Sequence, residues 1–209
     1  MNKKNNQSTS KTPKVLNESK FSPLSLEIIK KLKKSGFQAF VVGGCVRDLL
    51  AGIKPKDFDV STNATPEEIR KIFRSSRIIG RRFRLVHVFS RSELIEVSTF
   101  RANTSRNENN SEVLKDAEGK ILRDNVWGTL EEDCIRRDFS VNALYFDPLQ
   151  GVLYDFHNGL QHIQKKILVS IGDPQLRFEE DPVRSLRAIR FSSKLNFKIS
   201  NEVKEAIYN

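Results

Sequence analysis

Up to about residue 165, this 209-residue chain alternates short apolar runs with capped, helix-like segments; from Pro174 onward the pattern stays helical. Over 37–51 an apolar run enters a diglycine turn and leaves as a helix. These observations predict an α/β (α+β) fold, a strand-containing head followed by the start of an all-α unit. The length suits one full domain with a buried core and part of another. The expected organisation is a tail over 1–20, a head over 21–165 and a helical unit over 166–209, cut short at Asn209.

Residues 1–20 are mostly Lys, Asn, Ser and Thr. With almost nothing to bury, they are expected to be a disordered basic tail. Ser22-Pro23 supplies an N-cap and a first helical residue. Leu26, Ile29 and Leu32, flanked by Ile28, then form an apolar stripe at helical spacing that Gly36 ends. Phe37 to Val42 reads as a buried strand entering Gly43-Gly44, Val46 to Ala51 as a short helix and Lys56 to Val60 as a second strand. Thr65-Pro66-Glu67-Glu68 is a capping box that opens a helix to about Phe73. Arg84–Phe89 and Leu94–Phe100 alternate as a hairpin does. Between Ala102 and Asp124 the composition turns polar, as in a mobile loop. Thr129-Leu130-Glu131-Glu132 is a second capping box, and Phe139 to Phe146 and Val152 to Phe156 read as strands. The chain has no internal repeat.

Apolar residues make up 38% and charged residues 30% of the chain, the mix of a soluble protein. It has no apolar run of about eighteen residues, so no membrane span is expected. The N-terminus lacks the apolar core of a secretory signal, and the absence of arginine before Arg47 counts against a transit peptide. Two cysteines, Cys45 and Cys134, are too few for a disulfide framework or a Cys-rich zinc site; reduced thiols and a cytoplasmic setting are expected. A net charge of +10 favours a polyanionic partner, nucleic acid before membrane surface, although a solvated lysine surface has the same signature.

Three clusters carry the chemistry. Asp57 and Asp59 are one residue apart; on a strand they project from one face. Two carboxylates so close repel unless a cation lies between them, and Mg²⁺ accepts a few carboxylate oxygens plus substrate phosphates. The bland alternative is a turn acid beside a solvated strand acid. Gly43-Gly44 can bring backbone amides close to a phosphate, with Arg47 a turn later, or can be only a tight strand–helix turn. Asp138, at an expected strand start, can serve as a third metal ligand or a base, while Arg137 offers a planar fork for a triphosphate. A surface Arg–Asp pair is the plainer reading. In the run 180–190, Asp181-Pro182 reads as an N-cap and first helical residue. Arg184, Arg187 and Arg190 share one side of that helix, a solvated stripe in the usual case. In the sharper reading Asp181 accepts from the exocyclic amine of adenine or cytosine, and Arg184 donates to the ring nitrogen beside it. His87, His157 and His162 are scattered and read as packing or surface residues. Trp127 reads as a loop anchor.

The blocks Gly-Gly-Cys-Val-Arg-Asp (43–48), Lys-Asp-Phe-Asp (56–59), Arg-Arg-Asp-Phe-Ser-Val-Asn-Ala (136–143) and Glu-Asp-Pro-Val-Arg-Ser-Leu-Arg-Ala-Ile-Arg-Phe (180–191) stand in one order. That order resembles the class II template-independent RNA nucleotidyltransferases, which include bacterial poly(A) polymerase I and the tRNA CCA-adding enzymes. The resemblance covers roughly 21–209. Gly80-Arg81-Arg82-Phe83-Arg84-Leu85-Val86-His87-Val88 is similar to the poly(A) polymerase branch. The resemblance implies a nucleotidyltransferase head with a mixed β-sheet and a helical neck, and adenylate transfer from ATP to RNA 3′ ends with two Mg²⁺ ions. It implies Asp57 and Asp59 as metal ligands, with Asp138 completing the catalytic acids. Gly43, Gly44, Arg47 and Arg137 would contact the nucleotide; Asp181 and Arg184 would read its base, supported by Arg187 and Arg190. CCA addition to tRNA, and an inactive RNA-binding fragment, are the alternatives. RNA 3′ ends and ATP are the expected partners, with no membrane; RNA-decay or chaperone proteins stay open as further partners.

Overall fold

The computed structural model describes residues 9–10, 13–80, 83–102, 113–115, 121–124 and 126–208. Strand β1 (Thr9–Ser10) lies along an edge of the main sheet. Leu16 is buried, and a 3-10 turn at Glu18–Lys20 leads to Phe21, which stacks on Phe146 at 5.2 Å. The expectation of an unstructured segment over 1–20 therefore fails for residues 13–20, because Leu16 and the adjoining Phe21 dock them on the core.

Helix α1 (Pro23–Lys34) begins at Ser22, whose hydroxyl accepts the Ser25 N–H, and buries Ile28, Ile29 and Leu32. Strand β2 (Ala39–Val42) is buried on both faces. Ala39 and Val41 join the large core against α1, while Phe40 and Val42 join a smaller cluster on the other side. Helix α2 (Gly44–Leu50), β3 (Asp59–Thr62) and α3 (Pro66–Ile72) follow, and the Thr65–Glu68 capping box makes both of its bonds. Asp57 lies ahead of β3 rather than within it, so the strand expected from Lys56 starts later. Strand β4 (Ser76–Ile79), which the sequence did not announce, precedes the expected hairpin of β5 (Leu85–Phe89) and β6 (Leu94–Thr99). Within the polar stretch 102–124, β7 (Val113–Lys115) pairs with β8 (Ile121–Asp124); the rest of that stretch lies outside the described residues.

Helix α4 (Leu130–Ile135) carries the second capping box. The strand expected over Phe139–Phe146 is broken by a 3-10 turn at Ser140–Asn142 and resumes as β9 (Leu144–Asp147), which pairs with β10 (Val152–Asp155). The break has local causes: the Ser140 N–H donates to Val169, and the Asn142 amide reaches back to Asp138. Then come α5 (Gly159–Gln164), β11 (Ile167–Leu168), α6 (Pro174–Glu180), α7 (Val183–Leu195), β12 (Lys198–Ile199) and α8 (Asn201–Tyr208). The C-terminal part is thus not all-α, since β11 and β12 pair in parallel.

The sheet is mixed and eight-stranded, in the order β1-β10-β9-β2-β3-β6-β5-β4. Its neighbours are antiparallel except for β3 and β6. Helices α1 to α3 supply the large core on one face; on the other, Leu130 and Cys134 of α4 pack with Phe40 and Val42 of β2 and Tyr145 of β9. That large core continues without a break into Phe178, Ala188, Phe191 and Leu195 of the helical part. Among the described residues, no helix is long and apolar enough to cross a membrane.

Candidate active site

Beside α4, a cleft of about 450 Å³ forms where α2, β3, the turn after α4 and α7 meet. Gly43 sits at its base with φ 72° and ψ −126°, a backbone conformation that glycine tolerates and side chains resist. A Cβ there would come within 3.4 Å of the Arg137 guanidinium. Gly44, Asp59, Asp138, Asp181, Arg184 and Arg187 line the same space. The four sequence blocks therefore meet in one place. Five arginines and three aspartates line the cleft, so its field favours an anion such as a triphosphate. Asp57 stands exposed beside the cleft rather than in its wall, and Arg190 is turned onto the Phe191 ring at 5.0 Å.

Asp59 is the first residue of β3 and lies opposite Glu96 of β6. Its carboxyl is pushed up to about 6, first by burial, then by Glu96, with Arg137 opposing and Asp57 adding to the rise. Negative charge is thus crowded at this point, which is the condition under which a divalent cation binds carboxylates strongly. Glu96 was not singled out from the sequence. It stands in an alternating strand like any solvent-facing acid, and only the β3–β6 pairing brings it to Asp59.

Asp138 is held differently. Oδ1 accepts from the Phe139 N–H at 2.8 Å and from Asn142 Nδ2 at 3.1 Å. Oδ2 accepts from Arg187 Nε and its terminal NH2 group, each at 2.7 Å. These donors reach both of its oxygens, so the Asp138 carboxylate forms a junction between α7 and the head.

The junction continues inward. Asn142 Oδ1 accepts from Arg47 at 2.6 Å, and Arg47, 3% exposed, also donates to Asp48 and packs its guanidinium over Phe191 at 5.2 Å. Arg187 approaches the Phe191 ring to 5.2 Å. Arg137 is fixed by Tyr145 at 2.6 Å and by Asp133 at 3.2 Å, with Tyr145 also donating to Asp133. Burial alone would raise the Asp133 carboxyl, but Arg137 and Arg136 hold it well below the usual carboxylate range. Asp133 is therefore a fixed anion that anchors two cleft arginines. Arg177 of α6 donates to the carbonyls of Arg136 (2.6 Å) and Arg137 (2.9 Å), tying the helical part to the cleft floor.

Pro182, not Asp181 as expected, is the N-cap of α7; Asp181 ends α6 and accepts the Val183 N–H across the turn, and Arg184 is steadied by the Arg177 carbonyl at 2.8 Å and Glu180 at 2.9 Å. Asn142, Asp133 and Arg177 were not predicted as site residues; Asn142 and Asp133 lie in or next to the Arg136–Ala143 block, which is the signal that marks them. Cys45 and Cys134 are buried free thiols, and burial pushes Cys45 up to about 12, so neither is a nucleophile. Trp127 is bridged to Arg101 across a short antiparallel contact, as an anchor would be.

The chain matches the Poly A polymerase head domain over residues 39–169. It is 50% identical over 188 residues to Poly(A) polymerase I of Haemophilus influenzae, covering 90% of this chain and 42% of that protein. It is 37% identical over 187 residues to the CCA-adding enzyme of Bacillus licheniformis, covering 88% of this chain and 44% of that one. The solved structure of Bacillus stearothermophilus CCA-adding enzyme in complex with CTP superposes with a TM-score of 0.75 at 34% identity, over 90% of this chain and 43% of that chain. The chain thus spans less than half the length of these relatives. The chain belongs to the Poly A polymerase head-domain family.

Proposed function

We propose that this chain is the catalytic head and adjoining neck of a polynucleotide adenylyltransferase, which adds AMP from ATP to RNA 3′ ends without a template. One observation carries the reading. Asp59, with Glu96 and Asp57 near enough to raise its carboxyl, lines an arginine-rich cleft that also holds Asp181 and Arg184. The 50% identity to a Poly(A) polymerase I favours adenylate tailing over other transfers.

The donor set fits Mg²⁺, a hard ion bound through one or two carboxylates plus substrate phosphates. Asp57 and Asp59 would hold two such ions, with Glu96 adding charge beside them. When bound, the ions neutralise charge on the attacking and leaving oxygens. The RNA 3′ oxygen forms a bond to the α-phosphorus of ATP, the bond to the β-phosphate oxygen breaks, pyrophosphate leaves and the hydroxyl proton passes to water. Arg137, braced by Asp133 and Tyr145, faces the triphosphate across Gly43 and Gly44. Arg47 acts from behind by holding Asn142. Asp181 accepts from the adenine amine while Arg184 donates to the neighbouring ring nitrogen, and guanine would leave both unpaired. Asp138 holds Arg187 and through it α7, the helix that carries Arg184. Catalysis then comes from alignment and charge neutralisation.

CCA addition is the second reading, favoured by the CCA-adding structure at TM-score 0.75. ATP or CTP, offered with generic RNA or with tRNA lacking its 3′ end, separates the two. Adenylate tails on generic RNA support the proposal; ordered CTP use on tRNA supports the rival. In Asp59→Ala, tailing at the wild-type rate would refute the assignment of the acids.

A further inference from the structure

On one face of the sheet, Asp59 of β3 stands opposite Glu96 of β6, and Glu96 stands opposite His87 of β5. Directly paired residues project to the same side, and the intervening Val60, Val97, Val86 and Val88 are buried on the other. The Glu96 side chain is 50% exposed, so packing alone leaves its rotamer free. His87 removes that freedom, with Nε2 lying 3.3 Å from Glu96 Oε1. An ionised carboxylate only accepts, so the imidazole donates from Nε2. The ring itself is held edge-on by Phe89, with centroids 6.1 Å apart and planes at 87°.

We propose that His87 is a positioning residue for the acidic site, its Nε2–H holding the Glu96 carboxylate beside Asp59 so that the acids meet a divalent cation already aligned. The inference rests on the metal-binding reading of Asp57 and Asp59 and adds a residue that never touches substrate. Partners that orient the groups around a metal typically carry about tenfold or more of its affinity.

The test measures Mn²⁺ binding to the 209-residue chain by the electron paramagnetic resonance of free Mn²⁺. Wild type, His87→Ala, His87→Gln, Glu96→Gln and the His87→Ala/Glu96→Gln pair are compared. In parallel, ATP-dependent tailing of generic RNA is followed at graded Mg²⁺. His87→Ala is expected to weaken Mn²⁺ binding and raise the half-saturating Mg²⁺ concentration by about tenfold, with KM for ATP unchanged. His87→Gln restores most of the loss, because an amide donor can replace Nε2–H, and the double variant binds no worse than Glu96→Gln. Wild-type Mn²⁺ affinity in His87→Ala, or a His87→Gln as impaired as the alanine variant, overturns the proposal. If wild type binds Mn²⁺ but tails no RNA, the transfer reading falls while the Mn²⁺ affinities still decide the role of His87. A wild type that binds no Mn²⁺ overturns both.

Discussion

Replacing Asp59 by asparagine removes a charge that the fold holds at a cost. The carboxyl is displaced from 3.8 to about 6, chiefly by burial and by Glu96. At about 1.4 kcal/mol per pH unit, the metal-free protein is weakened by at most about 3 kcal/mol, and partial exposure of the side chain reduces this to about 1–2 kcal/mol. The folded pKa lies above the unfolded one, so the native state holds the proton more tightly. The deficit is absent below about pH 4, grows as pH rises toward about 6 and is complete above it. Asp59→Asn, neutral throughout, should match wild type near the lower limit and exceed it at neutral pH. For a chain of this size the gain is about 3–6 °C in Tm. Thermal unfolding followed by circular dichroism in EDTA measures it. Excess Mg²⁺ should reverse the order, since at a hundred times its Kd an ion that binds only the folded state adds about 2.7 kcal/mol, and only wild type keeps both acids. An Asp59→Asn no more stable than wild type in EDTA at neutral pH refutes the reasoning, as does an equal Mg²⁺ response in both proteins.

Asp138→Asn keeps the shape of the junction but removes the charge that Arg187 reaches; urea unfolding should show a loss of about 1–2 kcal/mol. Its half-saturating Mg²⁺ concentration in tailing should stay at the wild-type value, whereas a raised value would return Asp138 to the metal. Gly43→Ala forces a side chain onto a backbone at φ 72° and ψ −126°, for an expected loss of about 2 kcal/mol in the same assay. Gly44→Ala, at an ordinary φ and with its added Cβ at a normal contact distance of 3.6 Å from Arg47, should cost less. Asp181→Asn should lower the ratio of kcat/KM for ATP over GTP by about tenfold or more, since a lost bond to a charged group is worth about 1.5–3 kcal/mol; an unchanged ratio removes Asp181 from base reading.

The sequence by itself determined what depends on a few neighbouring residues. Both capping boxes, at Thr65 and Thr129, stand where their spacing puts them, because a cap is closed by atoms three residues apart. The diglycine turn after a strand apolar on both faces was legible for the same reason, and so was the order of the four blocks that meet in the cleft. Tertiary structure decided which acids belong together. Asp59 and Glu96 are neighbours only because β3 and β6 run side by side in parallel, a pairing that no local rule fixes. Asp138 could be read locally as a metal ligand, a base or half of an ion pair with a neighbouring arginine, and only the fold shows that Arg187, far along the chain, reaches its second oxygen. A carboxylate's chemistry follows from which of its lone pairs are already taken, and distant chain segments take them only once the fold has brought them together.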